Sequence, residues 1–152
     1  PTRRASDLGS APQERIEPEE EEAVAALERG DFDSAESAYR RLIERKPGDH
    51  FGKLGLAQVL LLKRTQHLNP SQVAADAEKH PDNVDIQLCC ADVEVVHGAV
   101  EPAFARLLSL MPKLQGTEKN RVKERLIELF SLVDPADPIV IKARTQLANY
   151  LF

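Results

Sequence analysis

The 152-residue sequence has no tryptophan, one methionine, two cysteines and only 5% aromatic residues. So few large rings favour a helical array packed with Leu, Val and Ala. Two cysteines do not make a disulfide scaffold, so a reducing cytoplasm is the default compartment. Positive charge is also short: the formal net charge is −5 and the pI about 5.4. Nucleic acid and anionic membrane both call for a strong basic field, so neither is expected as the main partner. No apolar run reaches the length of a membrane span, and no secretory signal is recognisable. Gly-rich phosphate loops, G-x-S-x-G and H-E-x-x-H are all missing. With no such motif the chain is expected to be no enzyme and to need no cofactor. None of His50, His67, His80 and His97 lies three or four residues from another histidine or a cysteine, so no helical metal pair exists.

What is present is ordinary for one globular domain: 42% hydrophobic and 30% charged residues, on a chain long enough to bury a core. Residues 1–15 are rich in Pro, Ser, Arg and Gly without periodicity and read as a flexible linker, with residues 16–152 as the domain. A linker at the start of a chain that opens on Pro1 leads us to expect something upstream.

The most strongly patterned stretch runs from Gly30 to Asp49. Gly30 suits a helix end, and Asp31 is placed to cap the next helix. Phe32, Ala35, Tyr39, Leu42 and Ile43 recur at helical spacing, and Pro47-Gly48 stops the helix. Gly30-Asp31-Phe32, Ala35, Tyr39, Leu42 and Pro47 together resemble the second helix of a tetratricopeptide repeat. The preceding helix, opened by Glu17 and Glu19 to Glu22, fits that pattern poorly. His50 to Lys63 is apolar nearly all round and is expected to be the central, most buried helix. Asn69, Pro70 and Gln72 read as a cap, first residue and third-position partner of a short helix to His80. Val84, Leu88, Ala91 and Val95 make the next apolar face, ended by Gly98. Ala103, Leu107 and Leu110 stand at the same offsets from Gly98 as Ala35, Tyr39 and Leu42 from Gly30, which makes an internal repeat. Thr117 is expected to cap a helix with Val122, Leu126, Leu129, Phe130 and Val133 on one face. Asp137 and Pro138 start a last helix with Val140, Ala143, Leu147, Tyr150 and Leu151 inward. The expected fold is all-α: about eight helices as stacked antiparallel hairpins, closed by an amphipathic pair.

Taken in order, GDFDSAESAY (Gly30 to Tyr39), GLAQVLLLKRT (Gly55 to Thr65), LNP (Leu68 to Pro70) and the ending from Leu126 to Phe152 resemble the C-terminal region of bacterial, actinobacterial-type, thioredoxin-fold/tetratricopeptide co-chaperones. That resemblance implies an upstream thioredoxin-like domain and, as partners, unfolded client proteins or a chaperone. In tetratricopeptide arrays the first helix of each pair lines a concave face. By position the groove candidates are Val24, Leu27, Leu54, Gln58, Leu61, Leu62, Leu88, Asp92 and Val95. Most are apolar, which suits capture of exposed hydrophobic segments. Glu20, Val24, Gly55, Asp85 and Cys89 stand where a carboxylate-clamping branch of the family needs Lys, Asn and Arg, so no clamp is expected. Cys89 and Cys90, being adjacent in a helix, read as buried thiols. Lys119, Arg121, Lys123 and Arg125, with Lys113, read as a solvated basic face. The alternative to partner binding is a structural or oligomerising module that positions an upstream thioredoxin-like domain, whether redox-active or not.

Overall fold

The computed structural model describes residues 16–152, so the expected linker over residues 1–15 lies outside the described residues. Eight α-helices follow one another among them: α1 (Pro18–Glu28), α2 (Phe32–Arg45), α3 (His50–Thr65), α4 (Pro70–Lys79), α5 (Val84–Val96), α6 (Val100–Leu110), α7 (Gly116–Phe130) and α8 (Pro138–Leu151). A 3₁₀ turn, Met111–Lys113, continues α6 where Pro112 cannot extend it.

The boundaries follow local chemistry. Asp31 accepts the Ser34 backbone N–H at 3.1 Å, Asp49 that of Gly52 at 2.9 Å, Asn69 that of Gln72 at 3.1 Å, and Asn83 that of Ile86 at 3.1 Å. Each thereby satisfies an orphan donor of a helix start. Asp137 does the same for Ile139 at 2.8 Å, ahead of Pro138. The two tight turns are alike. Gly30 and Gly98 sit at φ +73° and +83°. The next residue's N–H reaches back across the turn, Asp31 to the Ala26 carbonyl and Ala99 to that of Glu94, both at 2.8 Å. The internal repeat read from the sequence is therefore structural, with Ala35, Tyr39, Leu42, Ala103, Leu107 and Leu110 all buried.

Packing is uneven along the stack. α1 and α2, and α5 and α6, are close hairpins, whereas α4 packs chiefly on α5 and α8 chiefly on α6. Gln87 explains the first of these. It is buried on α5, and its amide donates to the carbonyls of Ala77 and His80 at 2.9 and 3.0 Å, satisfying the open end of α4. Val73 and Ala77 of α4 then join Cys90 and Val93 of α5 in a small satellite core.

Four expectations need correction. α5, not α3, is the central helix, because it meets α3, α4, α6 and α7 while α3 meets mainly α2 and α5. With α4 drawn off, Leu54, Leu56 and Leu60 of α3 stay half-buried and Leu62 is exposed. Thr117 lies inside α7 rather than capping it: the helix begins at Gly116 after Gln115, and no side chain caps it. Val133 lies past the end of α7, half-buried against the core. Tyr150 and Leu151 point outward, since α8 ends beyond the last helix that could cover them.

Candidate functional site

The site is built on Asp92. It stands on α5 among Leu88, Ala91 and Cys90 and is 2% exposed. A carboxylate in such surroundings must be paired and hydrogen-bonded, because desolvating it alone is prohibitive. Arg64, in the last turn of α3, supplies the fork: Nε and Nη2 donate to the two Asp92 oxygens at 2.9 and 3.1 Å. Arg125 of α7 donates to Oδ2 of the same carboxylate, the oxygen that also accepts from Arg64 Nε. Arg64 also donates to Glu128 of α7 at 3.2 Å, and Glu128 lies 3.6 Å from Arg125. Three helices distant in sequence are thus joined at one carboxylate by charge-assisted bonds. Burial alone would make the Arg64 guanidinium easier to deprotonate, yet its bonds to Asp92 and the charges of Asp92 and Glu128 hold it above its ordinary value.

Above this network lies an open cavity of about 400 Å³, lined by Arg64, Leu88, Arg121, Glu124, Arg125 and Glu128. A neighbouring hollow shares Arg64, Leu88, Arg121 and Arg125 and adds Asp85, Cys89 and Asp92. Arg121 and Arg125, one turn apart on α7, both face it. Arg121 donates to Asp85 at 2.6 Å across the mouth, and that pair is exposed, at 45% and 76% of the two side chains. The walls are therefore of two kinds. Arg64, Arg125, Asp92 and Glu128 are locked together in a shielded setting. Arg121 and Asp85 form a solvent-facing pair whose own energy is small and which an incoming polar group can replace.

The basic run from Lys119 to Arg125 is thus not simply a solvated face, because two of its members line the cavity. Of the groove candidates, Leu88 lines the cavity and Asp92 the neighbouring hollow, and both are buried. Leu61 is 7% exposed and belongs to the main core with Leu88, so neither is free apolar lining. Leu27, Leu54 and Val95 are half-buried, with Leu27 and Val95 packed against core clusters. Val24, Gln58 and Leu62 are exposed on α1 and α3. Reading positions for apolar character missed Arg64, Arg121 and Arg125. One signal could have found them: a lone Asp on the apolar face of α5 demands cations from other helices.

Elsewhere the chemistry is quiet. Burial pushes the Cys90 thiol up to about 11 and raises that of Cys89, so neither is a ready thiolate. Among the described residues, no group of three or more His, Cys, Asp or Glu is arranged to hold a metal ion, and no helix is long and apolar enough to cross a membrane.

The arrangement, first helices of successive pairs side by side around a shared cavity, is that of a helical repeat. The tetratricopeptide repeat family matches residues 63–152, more than half of the chain. The chain belongs to the tetratricopeptide repeat family. The match covers α4 to α8 and includes Arg64, Asp92 and Arg125, while the Gly30–Asp49 stretch that first suggested the family lies outside it. Repeats of this kind are protein-interaction modules. Uncharacterised proteins of Mycobacterium bovis and of two strains of Mycobacterium tuberculosis are each 38% identical to the chain over 137 residues, which is 90% of this chain and 45% of theirs. The chain thus spans a little under half the length of these relatives. No solved structure matches it.

Proposed function

We propose that this tetratricopeptide-repeat chain is the partner-binding part of a co-chaperone, and that it takes a segment of an unfolded client or of a chaperone across α1, α3, α5 and α7. The observation that carries the reading is the convergence of Arg64, Asp92, Arg121 and Arg125, from three first helices, on one open cavity. Val24 and Leu62 are exposed on α1 and α3 and are the apolar anchors of this reading, beside the cavity rather than in its lining. Polar readout comes from Arg121 and Asp85. The locked Asp92 network keeps the spacing of α3, α5 and α7 fixed, so that the face is preorganised and loses little entropy on binding. The resemblance to thioredoxin-fold co-chaperones supports a thioredoxin-like domain elsewhere in the whole protein, and the greater length of the mycobacterial relatives leaves room for one. Such a protein works in the cytoplasm without catalysis by this part.

Titration against a permanently unfolded, reduced protein and against its native form tests the reading. Preferential binding to the unfolded form, weakened by Arg121→Glu, supports it. No binding to either form, together with a concentration-dependent dimer in light scattering, would favour the structural role instead.

A further inference from the structure

The start of α1 and the start of α3 leave a second surface that neither the core nor the Asp92 cavity uses. Phe51, second residue of α3, is 52% exposed, and Ile16, just before α1, is 60% exposed. Both border an open cavity of about 720 Å³ whose other walls include Glu17, Glu20, Lys46 and His50. One helical turn beyond Glu20, Val24 is also exposed. A half-exposed phenylalanine at the mouth of a cavity is the kind of group that dominates binding energy at protein interfaces.

The charge beside these side chains selects what they accept. On the α2 side, the α1 carboxylates are neutralised: Arg41 pairs with Glu22, Arg45 with Glu17 and Glu19, and Lys46 with Glu17. Asp49 is occupied as the cap of α3. Glu20, in the cavity wall, has no ion-pair partner among the described residues. Among the described residues the surface is thus apolar with a carboxylate to spare. Nucleic acid and anionic lipid carry the wrong sign. A second copy of this chain, itself at −5, brings like charge.

We infer that this surface docks a basic amphipathic segment of a partner protein, with apolar side chains seated around Phe51 and Ile16 and a Lys or Arg on Glu20. The inference rests on the partner-binding reading above and adds the chemistry of the partner.

The test is fluorescence anisotropy of the whole 152-residue chain with two synthetic amphipathic peptides, one bearing leucines and lysines, the other with glutamate at every lysine. The lysine peptide is expected to bind about tenfold more tightly than its twin. Phe51→Ala should cost about tenfold in affinity, and Glu20→Gln, which keeps the size of this half-buried first-turn side chain and removes its charge, should abolish the preference. Equal affinity for the two peptides overturns the inference. So does binding that survives both substitutions but is lost in Arg121→Glu, an outcome that leaves partner binding at the Asp92 cavity intact. If neither peptide binds while the unfolded protein of the preceding titration still does, this inference alone falls. If nothing binds, both readings fall.

Discussion

The first three helices and the last four solve the same packing problem with different materials. Around α1 and α2 the buried set is Ala23, Ala26, Ala35, Ala38, Tyr39, Leu42 and, from α3, Val59. Around α5 to α8 it contains Phe104, Phe130, Met111, Leu107, Leu126 and Leu129. The first core is close-fitting because its residues are small. Backbones approach until Tyr39 lies flat against Gly55, where a Cβ would run into the ring. The second is thick because its residues are large, with Phe104 and Phe130 edge to face at 4.9 Å between centroids and the Arg144 guanidinium 5.2 Å over Phe130. Surface pairing differs too. In the first region Glu17, just ahead of α1, and Glu19 and Glu22 of α1 tie to Arg41, Arg45 and Lys46 at the rim, whereas the second carries its key ion cluster inward at Asp92. A small-residue core fails when something is added, and a large-residue core fails when something is removed.

The largest effect should come from removal. Phe130→Ala is expected to cost about 4 kcal/mol in urea unfolding, because α7 and α8 would lose the ring they share with Phe104. Asp92→Ala follows closely, at about 3 kcal/mol, since Arg64 and Arg125 are left partly buried without their common anion. A double-mutant cycle with Arg125→Gln should show strong coupling, and near-additivity would mean that the network does not act as a unit.

Addition should hurt the first region. Gly55→Ala is expected to cost about 2 kcal/mol through overpacking against Tyr39, and Tyr39→Leu should recover part of that loss in the double mutant. The same glycine substitution with no loss of stability would show that α2 and α3 are less tightly apposed than described.

The smallest effect belongs to the rim. Hydrogen bonding from Arg45 holds the Glu19 carboxyl down to about 2, from an ordinary 4.5. A folded value below the unfolded one means that this contribution is complete above about pH 4.5 and is lost as pH falls towards 2. Carboxyl NMR titration should find Glu19 low in the wild type and clearly raised in Arg45→Ala, yet still below 4.5, because the backbone hydrogen bond to its carboxylate and the charge of Arg41 remain. An unchanged midpoint in the variant would remove Arg45 as the cause.

Much of the architecture was legible because it is written locally. Gly30, Gly98, Asp31, Asn69 and Asp137 mark helix ends through chemistry that acts over three or four residues, and the repeat of Ala35, Tyr39 and Leu42 in Ala103, Leu107 and Leu110 exposes the hairpin period. The site was less legible because it is tertiary. Arg64 meets Asp92 and then Glu128 across helices, and only the stack reveals that Arg125 turns inward and Arg121 borders the cavity mouth while Lys119 and Lys123 belong to the same run. The central place of α5 was hidden for a related reason: apolar content made α3 look more buried, but burial depends on neighbours, and Gln87 decides that α4 covers α5. Leu61, read as groove, is core, so an acidic residue there would report on stability rather than on binding.

The most direct test of the account is a hydrogen-exchange footprint of the chain with and without the unfolded, reduced protein bound. Added protection on the cavity side of α3, α5 and α7, around Arg64, Leu88, Arg121 and Arg125, is the predicted result. Protection confined to α2, α4, α6 and α8, or no change anywhere on binding, would contradict it.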